Sequence, residues 1–314
     1  MTIKQQWQDP DWLIDASQWI ETELEKRQLS ATAPLERVSG WALGHILRQG
    51  TSRGDFYFKA TARLPLFSNE ASLCATLHEL FPGATPAPLA IRADRQWQLT
   101  ASFGQALPED SETSVWADAF ADYARLQSRS PRYLDRLRAS GCLARPIEAL
   151  PAQLAEAFDN PDITAMLPAV VRSNTAKTLD KVATAITALG RHPLPEALVH
   201  GDLHIENIAK TQDGFVFFDW SDACISHPFI DGTYLYRMAG GPEKERIIDG
   251  YLSGWTQLAD KAELRQCWDT AEILCYAHQA LSYGSMMLNI PEPGRTDLKT
   301  AFENAFIRLS NKAS

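Results

Sequence analysis

The stretch Leu198-Val-His-Gly-Asp-Leu-His-Ile-Glu-Asn-Ile208 constrains this chain more than any other part of it. Asp202 and Asn207 stand five residues apart, and Asp219 follows twelve residues later, at the end of the apolar run Phe215-Val-Phe-Phe218. The order has a chemical logic. One carboxylate must touch a reacting hydroxyl. A short loop must bring an amide oxygen back to a metal ion. A second carboxylate, carried on the neighbouring strand, must reach the same ion from the other side. Mg2+ takes hard oxygen ligands and keeps several waters and phosphate oxygens, so one carboxylate and one amide from adjacent turns suffice.

The rest of the chain divides around that motif. Its 314 residues are enough for one large domain or two lobes, and an apolar fraction of 45% is that of a globular chain. Residues 11–27 carry Trp12, Leu13, Ala16, Trp19, Ile20 and Leu24 at helical spacing. Strands are expected at 35–38, 44–47 and 55–60, the last two joined by the turn Gln49–Gly54. A helix opens at Glu70, with Leu73, Leu77 and Leu80 on one face, and stops at Pro82-Gly83. Two further strands, 87–91 and 97–102, flank a polar turn. Beyond residue 112 the pattern is helical at 112–128, 132–140, 146–158, 168–189, 228–239, 242–256, 260–286 and 296–310. Strand signals return only at 197–199 and 215–218. The expected fold class is therefore α+β in two lobes. Residues 1–103 form a small β-rich N-terminal lobe with a leading helix, an antiparallel sheet and the helix bearing Glu70. Residues 104–314 form a large, mainly helical C-terminal lobe with the catalytic loop and an acceptor site, reached through a hinge at Thr100–Gly104.

His-Gly-Asp-Leu-His-x-x-Asn followed by Asp219-Trp220, with Ala223, Pro228 and Asp231 beyond, resembles the aminoglycoside phosphotransferase and choline-kinase-like family. The resemblance spans residues 35 to about 290, and its motifs are specific in residues 198–231. It implies a protein-kinase-like fold, ATP as phosphoryl donor with Mg2+, and a small hydroxylated acceptor. On that footing Asp202 is the catalytic carboxylate that orients or deprotonates the acceptor hydroxyl. Asn207 and Asp219 are the metal ligands. His200 is read as structural, linking the catalytic loop to the strand that carries Asp219. His204 is left facing either the acceptor or the loop backbone. The resemblance gives Asp231 a supporting role, hydrogen-bonded to the catalytic-loop backbone. The family often has Glu two residues after the Asp of Asp-Trp. Here Ser221 stands in that place, followed by Asp222, and an antibiotic acceptor does not follow.

A kinase-like enzyme also needs a strand Lys on the α/β-phosphates and a helix Glu to hold it. Lys59, flanked by apolar residues in Phe56-Tyr-Phe-Lys-Ala, fits the first role, and a charge so placed needs a partner. Glu70, opening the next helix, is the expected one, with Glu79 the alternative. Ser39 and Gly40, in Ser39-Gly-Trp-Ala-Leu-Gly44, are the expected phosphate-loop contacts. Ala101 and Phe103, in the hinge, are expected at the adenine.

Net charge is −9, which disfavours sequence-independent binding to nucleic acid and fits a cationic or amine-bearing acceptor. No apolar run approaches a membrane span, and five scattered cysteines read as free thiols of a cytoplasmic protein. Two alternatives stand beside the kinase reading. One is a non-catalytic nucleotide-binding member of the same fold. The other is a metal-dependent hydrolase using His200, Asp202 and His204, which leaves Asn207, Asp219 and Lys59 without a purpose. The acceptor (amino sugar, amino alcohol or related metabolite) and the oligomeric state are not readable from the chain.

Overall fold

The structure is a computed structural model that describes residues 9–192, 194–292 and 294–314. It opens with helix α1 (Pro10–Glu25), one residue earlier than the periodicity indicates. Asp9 caps it by accepting a hydrogen bond from the Asp11 amide at 3.0 Å, and Pro10 sits where a missing N–H does no harm. Strands β1 (Glu36–Gly40), β2 (Gly44–Thr51), β3 (Gly54–Thr61), β4 (Pro88–Arg92) and β5 (Trp97–Ala101) form one antiparallel sheet in the order β1-β2-β3-β5-β4. Helix α2 (Glu70–Leu80) lies between β3 and β4 in sequence. The β2–β3 hairpin is tighter than expected. Pairing runs out to Thr51 opposite Gly54, so only Ser52 and Arg53 turn the chain.

The period-2 alternation of β3 sets up the site. Phe56, Phe58 and Ala60 are buried on one face of the sheet, where they meet Trp12, Ala16, Ile20 and Leu24 of α1. Leu13, expected on that apolar face, is instead exposed. Phe58 and Trp97 stack edge-on with centroids 5.4 Å apart, and Trp12 and Trp19 close over them. Lys59 and Thr61 necessarily leave from the opposite face, toward the second lobe.

That lobe is helical. It comprises α3 (Thr113–Arg129), α4 (Leu134–Ala139), α5 (Leu150–Asp159), α6 (Pro161–Met166), α7 (Ala169–Arg172), α8 (Thr175–Leu189), α9 (Thr233–Arg237), α10 (Pro242–Ser253), α11 (Lys261–Asn289) and α12 (Gly294–Ala313). The 29-residue α11 is its axis, started by a reciprocal capping box between Asp260 and Glu263. Strands β6 (Leu143–Ala144), β7 (Ala197–Val199) and β10 (Cys224–Ser226) make one small sheet, and β8 (Ile208–Lys210) and β9 (Phe215–Phe217) make a hairpin. The apolar side of α2, including Leu73, Leu77 and Leu80, packs into this larger core and not into that of the sheet. The two lobes are therefore joined by packing as well as by chain. Ser68 adds polar ties: its hydroxyl donates to the Ala223 carbonyl at 2.6 Å and its amide to the Ser221 carbonyl at 3.0 Å.

Several helices are shorter than their patterns suggest. The segment 168–189 breaks at Ser173-Asn174, where the Asn174 amide group turns away to the Ser310 carbonyl at 2.9 Å. Residues 228–239 begin as a 3-10 turn, Pro228–Gly232, before the single turn and a half of α9. Helix α6 is unannounced by the apolar pattern. Asn160 caps it through the amides of Asp162 and Ile163, and Pro161 restarts the chain. All five cysteines are free and buried, and no described helix is long and apolar enough to cross a membrane.

Replacing Phe58 by Ala removes a fully buried ring from the small core. The expected loss is about 3–5 kcal/mol of stability, read from denaturant unfolding, with the large lobe's aromatic near-UV signal retained to higher denaturant.

Candidate active site

Lys59 joins the two lobes. Its ammonium lies 2.8 Å from Glu70 Oε1 and 2.7 Å from Asp219 Oδ1. Glu70 sits at the first position of α2, whose cap is the Asn69 side chain on the Ser72 amide, so its carboxylate also meets the positive end of the helix. Both Glu70 oxygens are used. Oε1 accepts the Trp220 amide at 3.2 Å as well, and Oε2 accepts the Thr61 hydroxyl. With 1% of its side chain exposed, Glu70 depends on these donors for every bit of solvation it has lost. Burial works against the Lys59 ammonium, yet Asp219 and Glu70 outweigh it and hold its pKa above the usual value. Burial likewise opposes ionisation of Asp219, and Lys59 overcomes it, keeping that carboxyl below its usual range. At Glu70 burial wins over Lys59 and, with the Asp219 charge, lifts the carboxyl. Asp219 has a left-handed backbone, φ 66°, a conformation that a non-glycine residue holds only where its surroundings fix it. The Ser221 hydroxyl on Oδ1 at 3.2 Å is a second fixing contact.

Across the cleft, β7 delivers His200-Gly201-Asp202. The loop is braced by Asp231, buried in the 3-10 turn before α9. Its Oδ2 accepts the His200 amide at 2.9 Å, Gln127 Nε2 at 2.9 Å and the Tyr123 hydroxyl, and its Oδ1 accepts the Gly201 amide at 2.9 Å. Burial pushes the Asp231 carboxyl up to about 7 in spite of those donors. His200 is buried against Trp220, ring centroids 4.4 Å apart, and its Nε2 donates to the Phe218 carbonyl at 3.0 Å. Burial lowers its pKa to about 4, so it is a neutral strut between the loop and the chain entering Asp219. Its ring is therefore not gathered with Asp202 and His204, and among the described residues no three His, Cys, Asp or Glu side chains are grouped to hold a metal ion. The hydrolase arrangement does not form.

Asp202 has both oxygens attended. Asn207 Nδ2 reaches Oδ2 at 3.2 Å and the Asp202 carbonyl at 2.9 Å. His204 Nε2 lies 3.5 Å from Oδ2, and the Tyr234 hydroxyl 3.4 Å from Oδ1. The His204 and Tyr234 rings stack at 4.7 Å. Burial disfavours the His204 cation, but Asp202 and Glu206 outweigh it and raise its pKa. Asp222 completes an acidic floor, its carboxyl pushed up to about 7 by burial and then by Asp202 and Asp219.

Two cavities meet at Lys59 and Asp219. One is lined by Ser39, Trp41, Asp202, Asp222, Tyr283 and Leu298 among others, and the second, more apolar, by Val38, Ile46, Tyr57, Cys74, Phe103 and Phe218. Phe103 packs on Phe218 at 5.2 Å. Two expected contacts lie elsewhere. Gly40 belongs to β1, its carbonyl taken by Arg37 at 2.8 Å, and it lines neither cavity. Ala101 pairs with Phe56 and faces solvent, because strand alternation gives the cavity to Thr100 and Ser102 on either side of it. The aromatic stripe divides. Tyr251, Trp255 and Trp268 are core, whereas Tyr283 faces the cleft. Thr61 and Tyr234 were not anticipated. Thr61 is two residues from Lys59 on the same strand face, and Tyr234 is three residues from Asp231, one helical turn on. Either spacing could have exposed them.

A two-lobed fold with this cleft defines a small-molecule kinase. The chain belongs to the phosphotransferase enzyme family, whose model matches residues 60–267. Among solved structures it is similar to macrolide 2'-phosphotransferase type I, at 18% identity and a TM-score of 0.64 over 92% of this chain and 97% of that one. It is similar to a choline/ethanolamine kinase family protein from Mesorhizobium loti, at 18% identity and a TM-score of 0.62 over 90% and 93%. The GDP complex of wild-type aminoglycoside 2'-phosphotransferase-IIIa is 16% identical, with a TM-score of 0.62 over 94% and 97%. At such identities the likeness is one of fold. No curated protein sequence matches the chain.

Gly201 has φ 84°, and a Cβ there would stand 2.3 Å from the Asp222 carbonyl oxygen. Gly201→Ala is expected to lose about 2–4 kcal/mol in urea unfolding, since backbone must move on both sides. Gly240→Ala, where a Cβ meets open space, is expected to change stability by less than about 0.5 kcal/mol.

Proposed function

We propose that the protein transfers the γ-phosphoryl group of ATP to a hydroxyl of a small molecule, with Mg2+, using Asp202 to orient and finally deprotonate that hydroxyl. The observation that carries this reading is the Lys59–Glu70–Asp219 ion cluster facing Asp202 across one cleft. Membership of the phosphotransferase enzyme family supports it. So does the solved GDP complex of an aminoglycoside 2'-phosphotransferase of the same fold, which has a nucleotide bound.

The donor's base fits the more apolar cavity beside Phe103 and Phe218, with the segment Thr100–Gly104 as hinge between lobes at 1–103 and 104–314. Lys59 neutralises charge on the α- and β-phosphates, while Glu70 keeps the ammonium in place. Asn207 and Asp219 fit a hard divalent cation. Asn207 commits Nδ2 to the Asp202 carbonyl, which leaves its Oδ1 as a ligand, and Asp219 Oδ2 has no hydrogen-bond partner among the described residues. When bound there, Mg2+ would neutralise phosphate charge. Asp202 accepts the acceptor's hydroxyl proton at Oδ1 while Asn207 steadies Oδ2. Because the transition state of phosphoryl transfer is loose, aim and charge neutralisation contribute more than early proton removal.

Asp202→Asn is expected to lower kcat by roughly 10²–10⁴-fold in a coupled ADP-release assay and to keep Mg·ATP binding. Near-normal turnover would remove Asp202 from the chemistry. Asp219→Ala is expected to abolish the Mg2+ dependence of nucleotide binding in calorimetry. Unchanged Mg·ATP binding would contradict its role as ligand.

A further inference from the structure

The turn from β1 to β2 carries an apolar tip, Trp41-Ala-Leu43. Phosphates call for backbone N–H groups at such a place, and apolar side chains do nothing for them. Strand β2 beyond the tip belongs to the small lobe, where His45 packs on Trp12 with ring centroids 5.3 Å apart. The tip itself does not. Ala42 and Leu43, 3% and 9% exposed, are buried in the core of the large lobe. Their landing place is the bend between α11 and α12. A Cβ placed on Gly294, the first residue of α12, would stand 2.7 Å from the Ala42 Cβ and 2.7 Å from Ile290 Cγ2. The Ala42 methyl therefore rests on bare Gly294 backbone, and a side chain there would have to displace it. Two hydrogen bonds stiffen the turn. The Trp41 amide donates to the Gly44 carbonyl at 3.0 Å, and the Ala62 amide to the Leu43 carbonyl at 2.8 Å.

This strap bounds the cavity that holds the chemistry. Trp41, Leu43, Met286 of α11 and Leu298 of α12 line it together with Asp202 and Asp222. Its volume is about 150 Å³. A cavity of that size takes a ligand of about benzene's size, and pockets for drug-sized ligands are several times larger. The transferred phosphoryl group has to share the space, because Lys59 and Asp219 line it too. The polar lining is rich in acceptors. Besides the carboxylates, Gln279 Oε1 is buried with no hydrogen-bond partner among the described residues. A hydroxyl-rich ligand supplies the donors that these groups lack.

We propose that the strap Trp41–Leu43, fastened on Gly294, sets the size of the acceptor. The acceptor is a compact polyol or amino alcohol no larger than a single sugar ring, and oligosaccharides and macrolides are shut out. This rests on the kinase reading and narrows it. Ala42 and Gly294 are positioning residues, since they line neither cavity. They act by holding Trp41 and Leu43 in place as a wall.

The test is a size series of matched chemistry: glycerol, ribose, glucose, maltose and maltotriose, with ethanolamine, glucosamine and kanamycin as an amine series. In ADP release with Mg·ATP, kcat/KM is expected to fall at least about tenfold from the best single-ring or smaller member to any larger one. Gly294→Ala, which pushes the strap off, and Leu43→Ala, which removes its anchor without adding bulk, are expected to narrow that gap by roughly 10-fold, through a lower KM for the larger members. Adding Ala42→Gly to Gly294→Ala moves the methyl across the contact and is expected to restore the limit. Preference for maltotriose or kanamycin in the unaltered protein, or a limit indifferent to both Gly294→Ala and Leu43→Ala, would overturn the proposal. Should no member turn over, calorimetry of the same panel on protein saturated with Mg·ADP decides. Binding confined to compact members, and extended to larger ones by Leu43→Ala, supports the size limit. Binding of larger members to the unaltered protein, a limit that Leu43→Ala leaves in place, or no binding at all defeats it. Loss of Mg·ATP binding in the unaltered protein would strike the kinase reading and this proposal with it, whereas intact Mg·ATP binding with the wrong size profile strikes the size limit alone.

Discussion

The ion cluster of Lys59, Glu70 and Asp219 is the contact on which the rest of the molecule turns. Three charges from three separate elements meet there: Glu70 is fully buried, Lys59 mostly so, and Asp219 opens to the cleft. Two carboxylates share one ammonium, so the cluster carries net negative charge before any ligand arrives. Buried ion pairs of this kind seldom add much stability against an apolar equivalent, because desolvation consumes the Coulombic gain. In the function proposed above, the cluster is preparation for a ligand. A polyanion with a divalent cation offers Lys59 new acceptors and Asp219 a new cation.

Everything around the cluster limits how far its members can move. Glu70 is fixed by the start of α2, by Thr61 and by the Trp220 amide. Helix α2 in turn is anchored in the core of the large lobe through Leu73, Leu77 and Leu80. On the opposite wall, Asp231 gathers the amides of His200 and Gly201 together with Gln127 and Tyr123, and His200 bolts that loop to the Phe218 carbonyl. Asp202 thus stands on a loop held by buried hydrogen bonds, and Asp219 on a left-handed turn held by an ion pair. Both are arranged before a ligand binds, which is what the proposed transfer would draw its rate from.

The fold was legible wherever elements are long or alternate strictly. The α1 pattern, the β2–β3 hairpin and the axis of α11 could all be read from spacing, because burial of one face imposes a period on the chain. The three-residue strands β8 and β10 and the two-residue β6 could not, since a period needs more than one repeat to show itself. Ala101 and Gly40 illustrate a different limit. Each was placed correctly in sequence near the cleft, and each was turned away by a register that only pairing with Phe56 or the Arg37 contact fixes. The motif from Asp202 to Asp231 was legible because loop chemistry demands particular side chains at particular steps. Tyr234 was missed although it lies three residues beyond Asp231, because a helix of five residues shows no period of its own.

The central claim is that Lys59 is held by Glu70 and Asp219 in order to receive a nucleotide's phosphates. The most direct measurement is isothermal titration of Mg·ATP into the unaltered protein and into Lys59→Met, with folding of the variant checked by circular dichroism. Loss of a charge-assisted contact to the phosphates predicts binding weaker by roughly 10–100-fold, with the loss appearing mainly in enthalpy. Equal affinity in the two proteins, both folded, would mean that the cluster is a structural tie between lobes and nothing more.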